Sequence, residues 1–210
     1  TAARRGIEPE DLFLKGVNGL MTLTAYVWKG DTEQALLWYQ HTWEFCRGQK
    51  DLELLADLWL GYINYLSGNF ARGTLLFERV AASEQLMGAM SGALSYLRTQ
   101  SSIYFNSCFL GRPQEARRDL QDFSRWSETM QIQGAQALLD LYEGWIALAE
   151  DRLEDSRQHL ELALPALETG IANRVPYALN ALSEVLLKNR SFEAARETAL
   201  NGVIWNREHG

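Results

Sequence analysis

Hydrophobic residues along the chain recur at the spacing of an α-helix. Apolar side chains return at i, i+3, i+4 and i+7 nearly everywhere, and no stretch alternates as a β-strand does. The pattern is interrupted by five short turns, each of which is followed by a new amphipathic segment. The first residues of these turns are Gly30, Gly68, Gly111, Asp151 and Arg190. The pattern predicts an all-α chain of paired helices.

Each turn is followed, at the same distance, by a small residue. These small residues are Ala35, Gly73, Ala116, Ser156 and Ala195. Successive members lie 38, 43, 40 and 39 residues apart, so the chain repeats with a period of about 40 residues. A small side chain permits two antiparallel helices to cross closely. We expect five helical hairpins, over residues 9–47, 51–86, 88–130, 132–169 and 173–208.

One hairpin cannot bury its apolar face alone, so repeated hairpins are expected to stack on their neighbours. The sequence therefore predicts a right-handed α-α superhelix, or solenoid, of about five hairpins that forms a single domain over residues 1–210. The chain begins at Thr1 rather than methionine and ends just after a helical pattern. We expect it to be a fragment of a larger protein.

The turns resemble the tetratricopeptide repeat, which carries Leu-Gly in its first helix, Gly-Asp-Tyr at its turn, and alanine and aromatic residues in its second helix. The second hairpin matches this pattern best, through Leu60-Gly61, Gly68-Asn69-Phe70, Gly73 and Phe77. The fourth hairpin keeps Gly144, Ser156 and Leu160, whereas the third and fifth keep the small residue but not the Leu-Gly pair. The period of about 40 residues is longer than the standard repeat of about 34.

Longer helices with a weaker consensus are similar to the sensor solenoids of large bacterial signalling ATPases, such as the maltose-regulon transcription activator. The segments 54–61 and 109–116 carry this resemblance. In that group, the solenoid receives an inducer or a regulatory protein and relays the event to an ATPase switch. The chain contains no G-x-x-x-x-G-K-[ST] phosphate-binding loop. The resemblance therefore implies a non-catalytic sensor scaffold that acts on a signalling or transcription-regulating module.

The same resemblance implies a concave groove lined by the first helix of each hairpin. The position after the glycine of the first helix holds Thr24, Tyr62, Phe105, Trp145 and Glu184 in the five hairpins. Aromatic faces beside hydroxyls and amides can stack on an apolar or sugar-like surface and orient it. The expected partner site therefore consists of Tyr62, Tyr65, Ser102, Phe105, Asn106 and Trp145. The alternative is that longer helices shift the register, which would make these rings part of the core between repeats.

A second functional hypothesis is a stand-alone adaptor that binds an extended apolar peptide segment. Tetratricopeptide adaptors of chaperones hold a terminal carboxylate with lysine and asparagine on successive first helices. The matching positions here are Leu20 and Thr24, Leu58 and Tyr62, and Ser101 and Phe105. These residues cannot form such a clamp, although an apolar segment could still bind. The neighbouring sequence would separate the hypotheses, because an ATPase module upstream favours the sensor.

Composition and net charge limit the classes of partner that the chain is expected to bind. The net charge of −7 has the wrong sign for a nucleic-acid or anionic-membrane binder, and no run approaches the roughly 18 apolar residues of a membrane span. Cys46 and Cys108 lie far apart and lack C-x-x-C spacing, which indicates free thiols in a reducing compartment. We expect a cytoplasmic chain whose partner is a protein or a small-molecule inducer, with no direct binding to nucleic acid or membrane.

Residues for catalysis or metal binding are sparse. His41, His159 and His209 show no metal-ligand spacing with cysteines or acids. Asp140 and Glu143 share one helix face and could in principle serve acid–base chemistry, but we favour a polar stripe or an interhelical hydrogen bond as their role. No nucleophile elbow or glycine-rich phosphate loop is present. We expect no enzymatic activity, no cofactor and no metal.

Overall fold

The computed structural model describes residues 9–83 and 91–209, with the side chains of residues 9, 28 and 91–97 excepted. About 86% of the described residues are helical, and none of them lies in a strand. The prediction of an all-α chain is confirmed. No helix within these residues is long and apolar enough to cross a membrane.

Ten α-helices occur in the described part of the chain. They are α1 Pro9–Trp28, α2 Thr32–Cys46, α3 Lys50–Leu66, α4 Phe70–Ser83, α5 Ser91–Cys108, α6 Pro113–Met130, α7 Ala135–Ala149, α8 Leu153–Gly170, α9 Val175–Lys188 and α10 Phe192–His209. A 3₁₀ turn, Ala172–Arg174, precedes α9. These bounds agree with the five predicted hairpins to within a few residues. The predicted junction of the second and third hairpins, residues 84–90, lies outside the described residues.

The chain divides into two compact units, residues 1–98 and residues 99–210. The division falls inside α5. In unit 1, α1 packs on α2 and both contact α3, which in turn packs on α4. In unit 2, α7 packs on α8 and α9 on α10, while α7 and α8 both contact α9. A single domain over all 210 residues and a right-handed superhelix stay predictions.

All five turns end the first helix with the same backbone conformation. The residue at the first turn position has a positive φ, between 60° and 78°, in every hairpin; these residues are Gly30, Gly68, Gly111, Asp151 and Arg190. In four turns, the next backbone N–H bonds to the carbonyl five residues earlier, as from Asp31 to Tyr26 (3.0 Å) and from Ser191 to Leu186 (2.9 Å). This arrangement satisfies carbonyls that a helix end leaves free. The turns are therefore closed mainly by backbone bonds, to which the first turn adds a bond from the Gln34 N–H to the Asp31 carboxylate (3.1 Å).

The small residues lie where the two helices of a hairpin cross. Ala35, Ala116 and Ser156 are fully buried. The facing glycines are equally constrained: a Cβ on Gly61 would lie 2.9 Å from Cε1 of Phe77, and one on Gly144 would lie 2.7 Å from Cγ of Leu160. The prediction of tight crossings inside the hairpins is confirmed, because neither position has room for a side chain.

Candidate binding surface on the first helices

Two of the predicted site residues, Tyr62 and Tyr65, belong to unit 1. The half-buried ring of Tyr62 lies 5.4 Å from that of Trp59 and meets Phe77 edge-on at 5.9 Å. Tyr65 is buried and stacks on Phe77 at 5.3 Å, and its hydroxyl shares a 2.7 Å hydrogen bond with that of Thr74. Both rings therefore help to close the α3/α4 hairpin.

Phe105 and Trp145 lie in unit 2 and are almost completely enclosed. Only 1% of Phe105 and 2% of Trp145 is exposed to solvent. A ligand could reach these rings only by displacing their neighbours. This burial is what the alternative interpretation expects, in which the rings belong to the core between repeats. A role for these rings in binding a partner stays a prediction.

Ser102 and Asn106, the polar members of the predicted site, connect α5 to α6. The Ser102 hydroxyl donates to Oδ2 of Asp119 at 2.6 Å, and Nδ2 of Asn106 donates to the same hydroxyl at 3.0 Å. Both side chains therefore form hydrogen bonds within this hairpin. The pair positions two helices and shows no orientation toward a ligand.

Rings from three consecutive first helices do meet in unit 2, but only Trp145 is at the predicted position. Tyr104 of α5 lies 4.9 Å from Trp145 of α7 and 5.5 Å from Tyr177 of α9, and the last two rings are 6.4 Å apart. Tyr104 and Tyr177 are only half-buried. Part of each tyrosine is therefore open to solvent, whereas Trp145 is buried behind them.

A polar chain of side chains adjoins these rings. Nη2 of Arg174 donates to Oε1 of Gln100 at 2.8 Å, and Nε2 of Gln100 donates to the hydroxyl of Tyr142 at 2.5 Å. The Arg174 guanidinium also lies 5.5 Å from the centre of the Tyr177 ring, within range of a cation–π interaction. The arginine is only 9% exposed, so its position is fixed by these contacts. We refer to Gln100, Tyr104, Tyr142, Trp145, Arg174 and Tyr177 as the aromatic–arginine cluster.

The 3₁₀ turn before α9 places Arg174 in this cluster. The backbone N–H of Arg174 bonds to the carbonyl of Ile171 at 2.8 Å, and Nε1 of Trp205 donates to the carbonyl of Ala172 at 3.1 Å. The turn is therefore held from α10 as well as by its own backbone. Sequence reasoning missed Arg174 and Tyr177 because the aligned position of the fifth hairpin is Glu184, two turns further along α9.

The acidic pair singled out in the sequence makes contacts between helices. Oδ1 of Asp140 lies 3.1 Å from Nδ1 of His159 on α8, and Oε2 of Glu143 lies 3.4 Å from Nη1 of Arg117 on α6. These contacts match the interhelical interpretation. Arg117 also bonds to both carboxylate oxygens of Glu150, and these hydrogen bonds lower the pKa of Glu150.

The two cysteines and the side chains that could bind a metal are candidate reactive groups. Cys46 is buried and Cys108 exposed, and both are free, as predicted. Burial raises the pKa of Cys46 to about 11, so its thiol stays protonated near neutral pH and is a poor nucleophile. Within residues 9–83 and 91–209, no group of three or more His, Cys, Asp or Glu side chains is placed to hold a metal ion.

Unit 1 contains a separate cleft of about 510 Å³ between α1 and α2. Its lining residues are Lys15, Asn18, Gly19 and Thr22 of α1, and Trp38, His41, Thr42 and Phe45 of α2. The His41 ring meets Trp38 edge-on at 5.8 Å and Phe45 at 5.9 Å, so one wall is aromatic. The buried Thr42 hydroxyl has no hydrogen-bond partner among the described residues. The cleft has the size of a small-molecule site.

Comparisons with known proteins identify no relative: no protein-family model, no curated protein and no solved structure matches the chain. The relationship to tetratricopeptide repeats and to sensor solenoids therefore stays a prediction. Function has to be inferred from the side chains that the two units present.

Proposed function

We propose that the chain is a non-catalytic binding and sensing scaffold of tetratricopeptide-like hairpins. A regulatory protein binds its first helices, and the event is relayed to a signalling or transcription-regulating module. The observation that supports this function is the aromatic–arginine cluster, to which three consecutive first helices of unit 2 contribute. The stand-alone adaptor is the second candidate, and it would use the same surface for an extended apolar peptide.

The chemistry of the cluster suits a protein partner. Tyrosine and arginine are the residue types that dominate the energy of protein interfaces, because they combine a large contact area with directional hydrogen bonds. Tyr104 and Tyr177 are half-exposed, and the buried guanidinium of Arg174 helps to hold the Tyr177 ring in place. Such a surface favours an apolar or aromatic side chain on the partner.

The same geometry explains how binding can be relayed. Tyr104 and Tyr177 lie on α5 and α9, and both rings pack on Trp145 of α7, so a partner that contacts the two tyrosines touches two hairpins and acts on a third through the buried Trp145. A partner that prefers one spacing of these helices shifts the population toward that spacing. A sensor requires such a difference in affinity between two states.

The proposal is tested by selecting a phage-displayed library of random peptides on the purified chain. Selected peptides are then titrated against Tyr177→Ala, Tyr104→Ala and a control, Leu162→Ala, which removes an exposed apolar side chain of α8. We expect the tyrosine variants to lose about tenfold or more in affinity and the control to lose nothing, since truncated anchor residues typically cost about 1–3 kcal/mol. Binders that tolerate both tyrosine substitutions, or a failure to select any binder, would contradict the proposal.

A small-molecule inducer would occupy a different place. The cleft between α1 and α2 combines an aromatic wall with the ammonium group of Lys15 and the buried Thr42 hydroxyl. These groups suit a small planar anion. Saturation-transfer NMR with benzoate, repeated on His41→Ala and Lys15→Met, tests this version: binding that both substitutions abolish supports an inducer site. Benzoate that does not bind leaves the cluster as the receiving surface.

A further inference from the structure

An apolar stripe runs along the outer face of α10. Leu200, Val203 and Ile204 are 54%, 48% and 41% exposed. The opposite face of this helix packs on the rest of unit 2, because Ala195 is buried and Gly202 lies against Leu179 of α9. Residues 200 and 204 are one helical turn apart, so their side chains form a continuous surface. The stripe is therefore free of the hairpin that carries it.

Comparison among the hairpins shows that the stripe is particular to α10. Five residues after the small residue, the second helices carry Gln40, Glu78, Gln121, Glu161 and then Leu200. Nine residues after it, they carry Glu44, Ala82, Arg125, Pro165 and then Ile204. Only α10 combines large aliphatic side chains at both positions. A contiguous exposed apolar surface generally marks a contact site.

Charged residues frame the stripe symmetrically. Glu197 lies one turn before Leu200, and Arg207 lies one turn after Ile204. If two copies of α10 run antiparallel with Leu200 of one opposite Ile204 of the other, then Glu197 faces Arg207 of the second copy. The same register pairs Arg196 with Glu208. A parallel arrangement would instead oppose like charges, Glu197 against Glu197.

We propose that α10 is a self-association surface that pairs two copies of this chain antiparallel through Leu200, Val203 and Ile204. The two ends of the interface are closed by Glu197 and Arg207, each with the opposite residue of the second copy. Because the pairing is two-fold symmetric, each contact occurs twice. A single helix from each copy gives a small interface, so the dimer is weak and reversible, with a Kd of about micromolar.

Sedimentation velocity over a series of chain concentrations tests the pairing. The parent chain should shift from monomer to dimer as its concentration rises. Glu197→Arg and Arg207→Glu should each weaken the dimer by about tenfold or more, because each reversal opposes like charges at both ends of the interface. An equimolar mixture of these two variants should associate again, since every end contact in the mixed dimer is then between opposite charges.

Two controls make the test specific. Glu168→Arg changes the net charge as Glu197→Arg does, at an exposed position of α8, and should leave the dimer unchanged. Leu200→Ser should abolish the dimer, whereas Leu162→Ser, at an even more exposed leucine, should not. A parent chain that stays monomeric, equal effects of Glu168→Arg and Glu197→Arg, or a mixture that fails to associate would overturn the proposal.

Discussion

The hairpins α3/α4 and α7/α8 make the same close crossing with different side chains. In both, a glycine of the first helix faces a larger residue of the second: Gly61 faces Phe77, and Gly144 faces Leu160. The small residue of the second helix differs. At Gly73 of α4, the Tyr65 ring of α3 fills the space that a side chain would need, since a Cβ there would lie 2.6 Å from its Cδ2.

In α7/α8, the corresponding residue is Ser156, and it takes part in the crossing directly. Its hydroxyl donates to the carbonyl of Gly144 at 2.7 Å. One hairpin thus fills the crossing with an aromatic ring, and the other ties its helices together with a buried hydrogen bond. The small residues at this repeat position are therefore not interchangeable between hairpins. The neighbouring first helix decides which small residue fits.

The largest difference between the two hairpins is expected at their rings. Trp145→Ala should lower the free energy of unfolding by about 3–5 kcal/mol, because it leaves a large cavity at a buried site. Tyr62→Ala should cost clearly less, since its ring is half-buried. Urea denaturation followed by circular dichroism measures both. A Trp145→Ala variant as stable as the parent would show that this ring is not core and would restore it as a binding residue.

Adding one methyl group at Gly73 should cause the next-largest loss of stability. Gly73→Ala is expected to cost about 2 kcal/mol by overpacking against Tyr65, although alanine occupies this repeat position in three other hairpins. The matched control is Gly170→Ala on α8, where no atom lies within 4 Å of the added carbon. Equal urea midpoints for both variants would mean that the Tyr65 ring moves aside without cost.

The hydrogen bond of α7/α8 should contribute less. Ser156→Ala is expected to lower the free energy of unfolding by about 1 kcal/mol, because a buried hydroxyl-to-carbonyl bond is lost without a steric change. Ser183→Ala serves as the control, since its hydroxyl bonds within its own helix. If Ser156→Ala is neutral in urea denaturation, the crossing of α7/α8 depends on Gly144 and Leu160 alone.

Substitutions in the turns should have effects no larger than this, with opposite signs in the two hairpins. Gly68→Ala is expected to cost about 1 kcal/mol, because its φ of 78° disfavours any side chain. Asp151 has the same positive φ, so Asp151→Gly removes a side chain that this conformation disfavours and should stabilise the chain by about 0.5 kcal/mol. Loss of the exposed ion pair with Lys188 makes this gain smaller. Thermal unfolding resolves both signs, and a loss of stability in Asp151→Gly would contradict this account.

The hairpins and their crossings could be predicted from sequence because they depend on local chemistry. A residue that tolerates a positive φ and a small residue five positions later are readable without knowing any neighbour, and Gly30 and Ala35 or Asp151 and Ser156 have these roles in the structure. The stacking of successive hairpins depends on how the helices rotate about their axes. That rotation is not encoded in any single residue.

The candidate site shows the same limit. Tyr104 and Phe105 are adjacent aromatic residues about 100° apart around α5, and the hydrophobic pattern cannot say which of them is enclosed. The structure encloses Phe105 and leaves Tyr104 half-exposed beside Tyr177. Arg174 could not be predicted for another reason: it lies in a 3₁₀ turn before α9, outside the helix positions on which the repeats were aligned.

The uniform turn affects how such a chain can gain or lose repeats during evolution. Because each first helix is ended by one residue with a positive φ and by backbone hydrogen bonds, the end of that helix depends little on the side chains next to the turn. A segment of about 40 residues between two such junctions can be duplicated or deleted and still meet a compatible junction at both ends. Such a segment holds the second helix of one hairpin and the first helix of the next, so the fit between each small residue and the first helix that faces it limits which exchanges can fold.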